Sequence, residues 1–198
     1  GARAIAIDLI FAEQTAADAR LTEQMAAGKP VAIAMAALQT LADPRDASGA
    51  MPPELAAALD GSAIPAVVGG RSATPLRRLL LPTPSLAGAG QLGHVNLVRS
   101  EDGVVRAIPL ALPAPGGREL PALPLAALSV ALGQDIVLFR DAQVAVGDHW
   151  MPIDRGDRIV IDHLGGRGAV PTYSLVDVLE ERIPADAFRD RIVFIGAT

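Results

Sequence analysis

Residues 3–10 read Arg-Ala-Ile-Ala-Ile-Asp-Leu-Ile, and they constrain the fold more than any other stretch of the chain. In an extended strand Ala4 and Ala6 fall on one face and Ile5 and Ile7 on the other, so both faces are apolar. Such a strand belongs inside a sheet that is covered on both sides, which is the usual setting of parallel strands. Asp8, near its C-terminal end, is the exception. Residues 16–27 then read as a helix, with Thr15 as a cap and Gly28 as a stop. Pro30 leads into a second apolar strand, residues 31–35. Strand, helix and strand in that order form a right-handed parallel crossover.

The rest of the chain extends this theme. Residues 43–53, rich in Pro, Ser and Gly, read as a loop; 53–59 read as a short helix and 66–70 as a third strand, while 76–82 and 86–90 are ambiguous. Residues 95–99 and 104–112 flank Ser100-Glu101-Asp102-Gly103, an acidic hairpin turn in which Gly103 supplies the positive φ. Along the return strand Val104, Ile108, Leu110 and Leu112 share a face with Arg106, an isolated cation in an apolar row. Residues 122–132 read as a buried helix ended by Gly133, and 144–146 with 150–153 as a hairpin around Gly147-Asp148. Residues 158–161 read as a strand, 175–181 as a helix capped by Ser174, and 192–195 as the last strand. The expected fold class is α/β: a mixed, mostly parallel sheet flanked by helices, with two β-hairpins, in a single domain.

Composition narrows the function. The chain is 51% hydrophobic and only 3% aromatic, so its core is aliphatic. Its net charge is -5 and Lys29 is its one lysine; nucleic-acid readers need basic patches and aromatic platforms, so no nucleic-acid partner is expected. The arginine bias is explained as well by coding-DNA composition as by anion recognition. No cysteine is present, which excludes disulfide scaffolds and thiolate nucleophiles without locating the protein. The longest apolar region, residues 120–133, carries Pro121 and Pro124 and falls short of the ~20 residues a bilayer crossing takes. An apolar strand placed directly before the last residues reads as the edge of a longer polypeptide, truncated at both ends.

Catalytic patterns are sparse. Gly61-Ser62-Ala63 lacks the Gly-x-Ser-x-Gly of a nucleophile elbow, and Ser174 reads as a helix cap. His94, His149 and His163 are scattered, although Asp148, Asp154, Asp157 and Asp162 lie near two of them. Gly165-Gly166-Arg167-Gly168 lacks the ending of a phosphate-binding loop and reads as a flexible loop. Asp8 and Glu13 read as a cap and its neighbour. No catalytic residue, metal or cofactor is expected.

Four stretches in order carry a more specific signal. They are Ala4-Ile5-Ala6-Ile7-Asp8-Leu9-Ile10 with Glu13 and Asp18; Gly93-His94-Val95-Asn96 leading to Asp102-Gly103-Val104-Val105-Arg106 and on to Pro121-Ala122-Leu123-Pro124; Tyr173-Ser174-Leu175-Val176-Asp177; and Arg191-Ile192-Val193-Phe194-Ile195-Gly196-Ala197-Thr198. Together they resemble the second type of the CHASE family, extracytoplasmic sensor domains attached to bacterial cyclases and histidine kinases. Ser100 stands where that family often has an acidic residue, and Asp162-His163 where an Asn or Asp followed by an aromatic is usual, so no role carries over to those positions. The family's upstream strand, with its Trp-Pro-rich stretch, has no counterpart before Ala4.

The resemblance implies a non-catalytic sensor on the periplasmic or extracellular side of a bacterial membrane, tethered by flanking helices. Its expected output is an intracellular adenylate or guanylate cyclase, or a histidine kinase, diguanylate cyclase or Ser/Thr kinase. Asn96, Arg106 and Tyr173 are the expected ligand-binding residues, each polar or amphipathic within an apolar, motif-bearing segment; a structural role around the hairpin is the competing expectation for Asn96 and Arg106. The partner is an unknown small molecule or protein, and a homodimer is possible. Two other readings stand beside this one: a small hydrolase or transferase using the groups between Asp148 and His163, and a dimerisation module that binds no ligand.

Overall fold

The computed structural model of the chain describes residues 1–38, 51–70, 78–166 and 168–197. Strand β1 (Ala4–Asp8) leads through helix α1 (Asp18–Ala27) to β2 (Val31–Ala37), and the two strands are parallel, with Ile5, Ala6 and Ile7 beside Val31, Ala32 and Ile33. The expected crossover is present. After α2 (Pro53–Ser62), β3 (Ala66–Val68), β4 (Leu79–Leu80) and α3 (Pro84–Ala89), β5 (Gln91–His94) joins the opposite edge of β2, also parallel. The hairpin β6 (Val98–Arg99) and β7 (Val105–Pro109) precedes a second one, β8 (Ala111–Ala114) and β9 (Arg118–Pro121), which runs into α4 (Leu123–Leu132). A meander follows: β10 (Ile136–Phe139), β11 (Gln143–Val146) and β12 (His149–Pro152), with β3 parallel to β10. Then come β13 (Arg158–Val160), paired with β7, and α5 (Leu175–Leu179). Finally β14 (Ile192–Gly196) returns to lie parallel to β1, so the central sheet runs β14-β1-β2-β5, with β4 antiparallel to the end of β2.

The two faces of the central sheet differ in side-chain size. Ala6, Ala32, Ala34 and Gly93 form a shallow face against Leu123, Ala126 and Ala127 of α4. The approach is close: a Cβ on Gly93 would stand 2.5 Å from Leu123 Cα. The opposite face presents Ile7, Ile33, Met35 and Leu92 to Met25 of α1, Leu59 of α2, Leu86 of α3 and Leu120 of β9. Helix α4 is apolar all round because its far side is buried as well, Leu125, Leu128 and Leu132 packing on Ile136, Leu138, Val144 and Val146 of the meander. It ends on Gly133, whose φ of 61° lets its N–H reach the Ser129 carbonyl.

The α/β class stands, and several boundaries change. The stretch read as one strand over 104–112 splits after Pro109: the Leu110 N–H still bonds the Asp157 carbonyl, in register with the β7–β13 pairing, but from Ala111 the chain pairs with β9 instead, and β8 begins a new hairpin. The strand expected over 95–99 starts earlier, at Gln91, and is interrupted at residues 95–97. Strand β10 and the β8–β9 hairpin were not legible as such, and the single sheet with two hairpins becomes a parallel sheet accompanied by three smaller ones. Ser174 sits at the N-terminus of α5 but its side chain makes no capping bond. Most of the loop expected over 43–53, residues 76–77 and Arg167 lie outside the described residues.

Candidate functional site

The ends of β3, β9 and β10 converge on one guanidinium. The Arg140 N–H donates to the Val68 carbonyl at 3.0 Å, which continues the β3–β10 ladder past Phe139. Its side chain turns inward, Nη1 donating to Asp157 and Nη2 to Glu119. All three side chains are nearly inaccessible, at 9%, 5% and 12% exposure. A planar, permanently charged fork suits this bridging role. Asp157 is held by more than Arg140: its φ is 55°, its Oδ1 accepts the Asp141 N–H at 3.0 Å, and its carbonyl accepts the Leu110 N–H at 2.8 Å. One residue thereby ties together the meander, the β8–β9 hairpin and the β7–β13 pair.

Beside this clamp lies a cleft of about 430 Å³, lined by Gly69 and Gly70 after β3, Gly117, Arg118 and Glu119 at the start of β9, and Arg140. That volume falls in the range of small-molecule pockets. Arg118 folds back over the Pro115–Gly117 turn: Nη1 donates to the Pro115 carbonyl at 2.6 Å and Nε to Asp60. The turn favours Gly116 because its φ of 80° lies in the left-handed region that side-chain-bearing residues rarely adopt. The bond from Arg118 holds the Asp60 carboxyl below its ordinary pKa and raises that of Arg118. Two guanidiniums, one carboxylate and glycine backbone are groups that bind and orient polar ligands.

Asn96, Arg106 and Tyr173 line neither this cleft nor a smaller one of about 250 Å³ beside Asp60, Gln91 and Asp135. Asn96 acts as a surrogate backbone: its Oδ1 accepts the Ala37 N–H at 2.8 Å and its Nδ2 donates to the Ala37 carbonyl at 2.6 Å, extending the β2–β5 ladder beyond the last strand residue. Arg106 is exposed and makes a two-pronged pair with Asp102 across the hairpin turn, at 2.8 and 2.6 Å. That contact lowers the Asp102 pKa and raises the Arg106 pKa. Tyr173, 43% exposed, packs edge-on against Phe188 with ring centroids 5.5 Å apart.

Each residue of Gly93-His94-Val95-Asn96 now has a physical place. Gly93 admits α4, and the Val95 N–H donates to the Met35 carbonyl at 2.9 Å. His94 points to the face of the large side chains, beside Met35 in register, and is 1% exposed. Neither of its ring nitrogens has a hydrogen-bond partner, and burial pushes its pKa from 6.5 down to about 3. His149 and His163 are exposed, Asp154 pairs with Arg158 at 2.8 Å, and no metal-binding cluster forms among the described residues.

Sequence reasoning missed the Arg140 clamp, because its members are about 20 residues apart and no local pattern joins them. It also missed the burial of Asp18. That carboxylate accepts the hydroxyls of Thr15 at 2.6 Å and Thr83 at 2.8 Å, and these bonds lower its pKa. The expected cap, Thr15, is thus a donor to Asp18.

A family model described as the CHASE2 domain matches residues 1–198, the whole chain. No curated protein matches the sequence, and no solved structure matches the fold.

Proposed function

Since the chain belongs to the CHASE2 family, sensory extracellular domains found in signalling receptors, we propose that it is the extracytoplasmic sensor of a bacterial transmembrane receptor controlling an intracellular adenylate or guanylate cyclase. The observation that carries this reading is the extent of the family match, which leaves no part of the 198 residues to a separate catalytic unit. Signal recognition is assigned to the cleft beside Arg140, where Arg118 and the glycine rim are accessible to a small polar molecule. Asn96 is assigned to closing the β2–β5 seam and Arg106 to an exposed ion pair across the hairpin turn, and Tyr173, with its ring partly exposed, remains a residue for partner or ligand contact. Binding alters the output only if it favours one of two conformations, and the clamp joining three sheets is suited to transmit such a preference.

Alkaline phosphatase, active only outside the cytoplasm, tests the placement when fused at Thr198 of the full-length receptor. Active phosphatase supports the reading; a silent fusion, with a fluorescent cytoplasmic reporter active at the same site, overturns it. Cyclic nucleotide measurement on the same receptor then tests the output. A second reading, self-association, is favoured by α5, where Leu175, Val176 and Leu179 are 55%, 54% and 74% exposed. Concentration-dependent sedimentation distinguishes it, since a monomer at high concentration removes it.

A further inference from the structure

His94 is the most anomalous polar group among the described residues. A buried polar side chain is ordinarily hydrogen-bonded, and an orphaned one calls for an explanation. Here both ring nitrogens are orphaned in a site that is 1% exposed.

The elements packed most extensively against β5 are β2, α2, α3, α4 and β9. Helices α3 and α4 and strand β2 carry no titratable side chain. Helix α2 carries Glu54, which is exposed, and Asp60, which is paired with Arg118; β9 carries Arg118 itself and Glu119, which is paired with Arg140. Among these elements every carboxylate is therefore exposed or committed to an arginine, and none is bonded to the imidazole. A proton arriving on the ring finds an apolar core and, among the described residues, no counter-charge bonded to it, so the charged form is accommodated only when the ring leaves the core.

Its position makes that departure consequential. His94 is the last residue of β5, bridged to Ala122 at the entrance to α4 and followed at once by the Val95 bond to Met35 and the Asn96 clamp on Ala37. Moving the ring out breaks the seam between β2 and β5 and frees the segment leading to the hairpin.

We infer that the domain responds to external protons through His94: acidification releases the end of β5 and the Asn96 clamp from β2 as a local opening, the regulatory input of the sensor proposed above. This rests on that reading only for which side of the membrane supplies the protons. If the ring has its ordinary affinity of 6.5 in the open form and about 3 in the closed form, the open population at pH 5 is about 30 times that at pH 7.5.

Amide hydrogen exchange on the 198-residue chain tests this at pH 7.5 and pH 5, with intrinsic exchange rates corrected for pH. The Ala37 and Val95 amides should show the ~30-fold rise in opening, and the Val144 and Val146 amides of the meander should not. His94→Gln should abolish the rise, and His94→Leu, which fills the site without a polar atom, serves if the glutamine variant does not fold. A flat wild-type profile overturns the inference without recourse to either variant. So does an equal rise at Val144, which would mean global acid unfolding, or a rise that persists in a His94 variant. The phosphatase fusion reports separately on placement, so a cytoplasmic result there leaves the exchange result standing and removes only the external source of protons.

Discussion

Removing the Arg140 guanidinium should cost far more than losing a surface ion pair. In Arg140→Met an unbranched apolar stem remains, but Asp157 stays behind as a carboxylate at 5% exposure without its guanidinium partner, and Glu119, at 12% exposure, loses its contact with Arg140. Breaking a buried pair in this way costs about 3–5 kcal/mol, because a charge is stranded away from water. Glu119 borders the cleft, so water reaches it after the substitution and the lower end applies, about 3 kcal/mol. For a chain of this size that corresponds to a Tm lower by roughly 6–12 °C. Urea unfolding at neutral pH measures the loss directly. The companion Arg140→Met/Glu119→Gln/Asp157→Asn removes both carboxylate charges while Asn tolerates the left-handed backbone at position 157, and it should recover more than half of the loss. A single variant within about 1 kcal/mol of wild type would place the clamp in the regime of exposed pairs and refute the reasoning. A triple variant no more stable than the single one would refute it equally.

Other substitutions separate packing from surface chemistry. Gly93→Ala forces a methyl against the α4 backbone at Leu123, so it should cost about 3 kcal/mol or more, or yield insoluble protein, as read from urea unfolding and expression. Asn96→Ala strands both polar groups of Ala37 and should cost about 2 kcal/mol with accelerated exchange at the Ala37 amide, an effect that Asn96→Asp does not rescue because a carboxylate cannot donate to the Ala37 carbonyl. Arg106→Ala, which removes a pair exposed on both sides, should leave the urea midpoint unchanged; a clear loss would mean that the hairpin turn depends on that contact.

The sequence was most legible where one local rule governed the outcome. The alternating Ala and Ile of β1, the stop at Gly28 and the Pro-led second strand gave the parallel crossover, and Gly133 marked the end of α4. Legibility failed where the chain turned within a run of β-forming residues. Between Ile108 and Leu112 no glycine or polar cluster marks the split, because it is a change of pairing partner, from β13 up to Pro109 to β9 from Ala111, and partners distant in sequence leave no local signal. Hairpin β8–β9 was hidden by Pro113 and Pro115, which argue against strand, yet a two-stranded sheet leaves each strand an unpaired edge on which proline is tolerated. The candidate site was less legible still. Asn96 and Arg106 stood out as polar residues in apolar company, which is a sign of burial or pairing and does not by itself separate ligand contact from backbone satisfaction. The cleft and the clamp arise from three elements brought together only by the finished fold.

Strand β1 and its outer neighbour β14 lie far apart in sequence, with all the other elements of the fold between them. Five residue pairs join them, from Ala4 beside Ile192 to Asp8 beside Gly196. During synthesis this edge of β1 is consequently unpaired while the intervening elements are translated, a strand of alternating Ala and Ile open to pairing with other chains. Long-range parallel pairing of this kind is slow to form, since the loop-closure cost falls before the contacts reward it. Folding of this domain is thus committed late, and interruption of the chain before Ile192 leaves an aggregation-prone product.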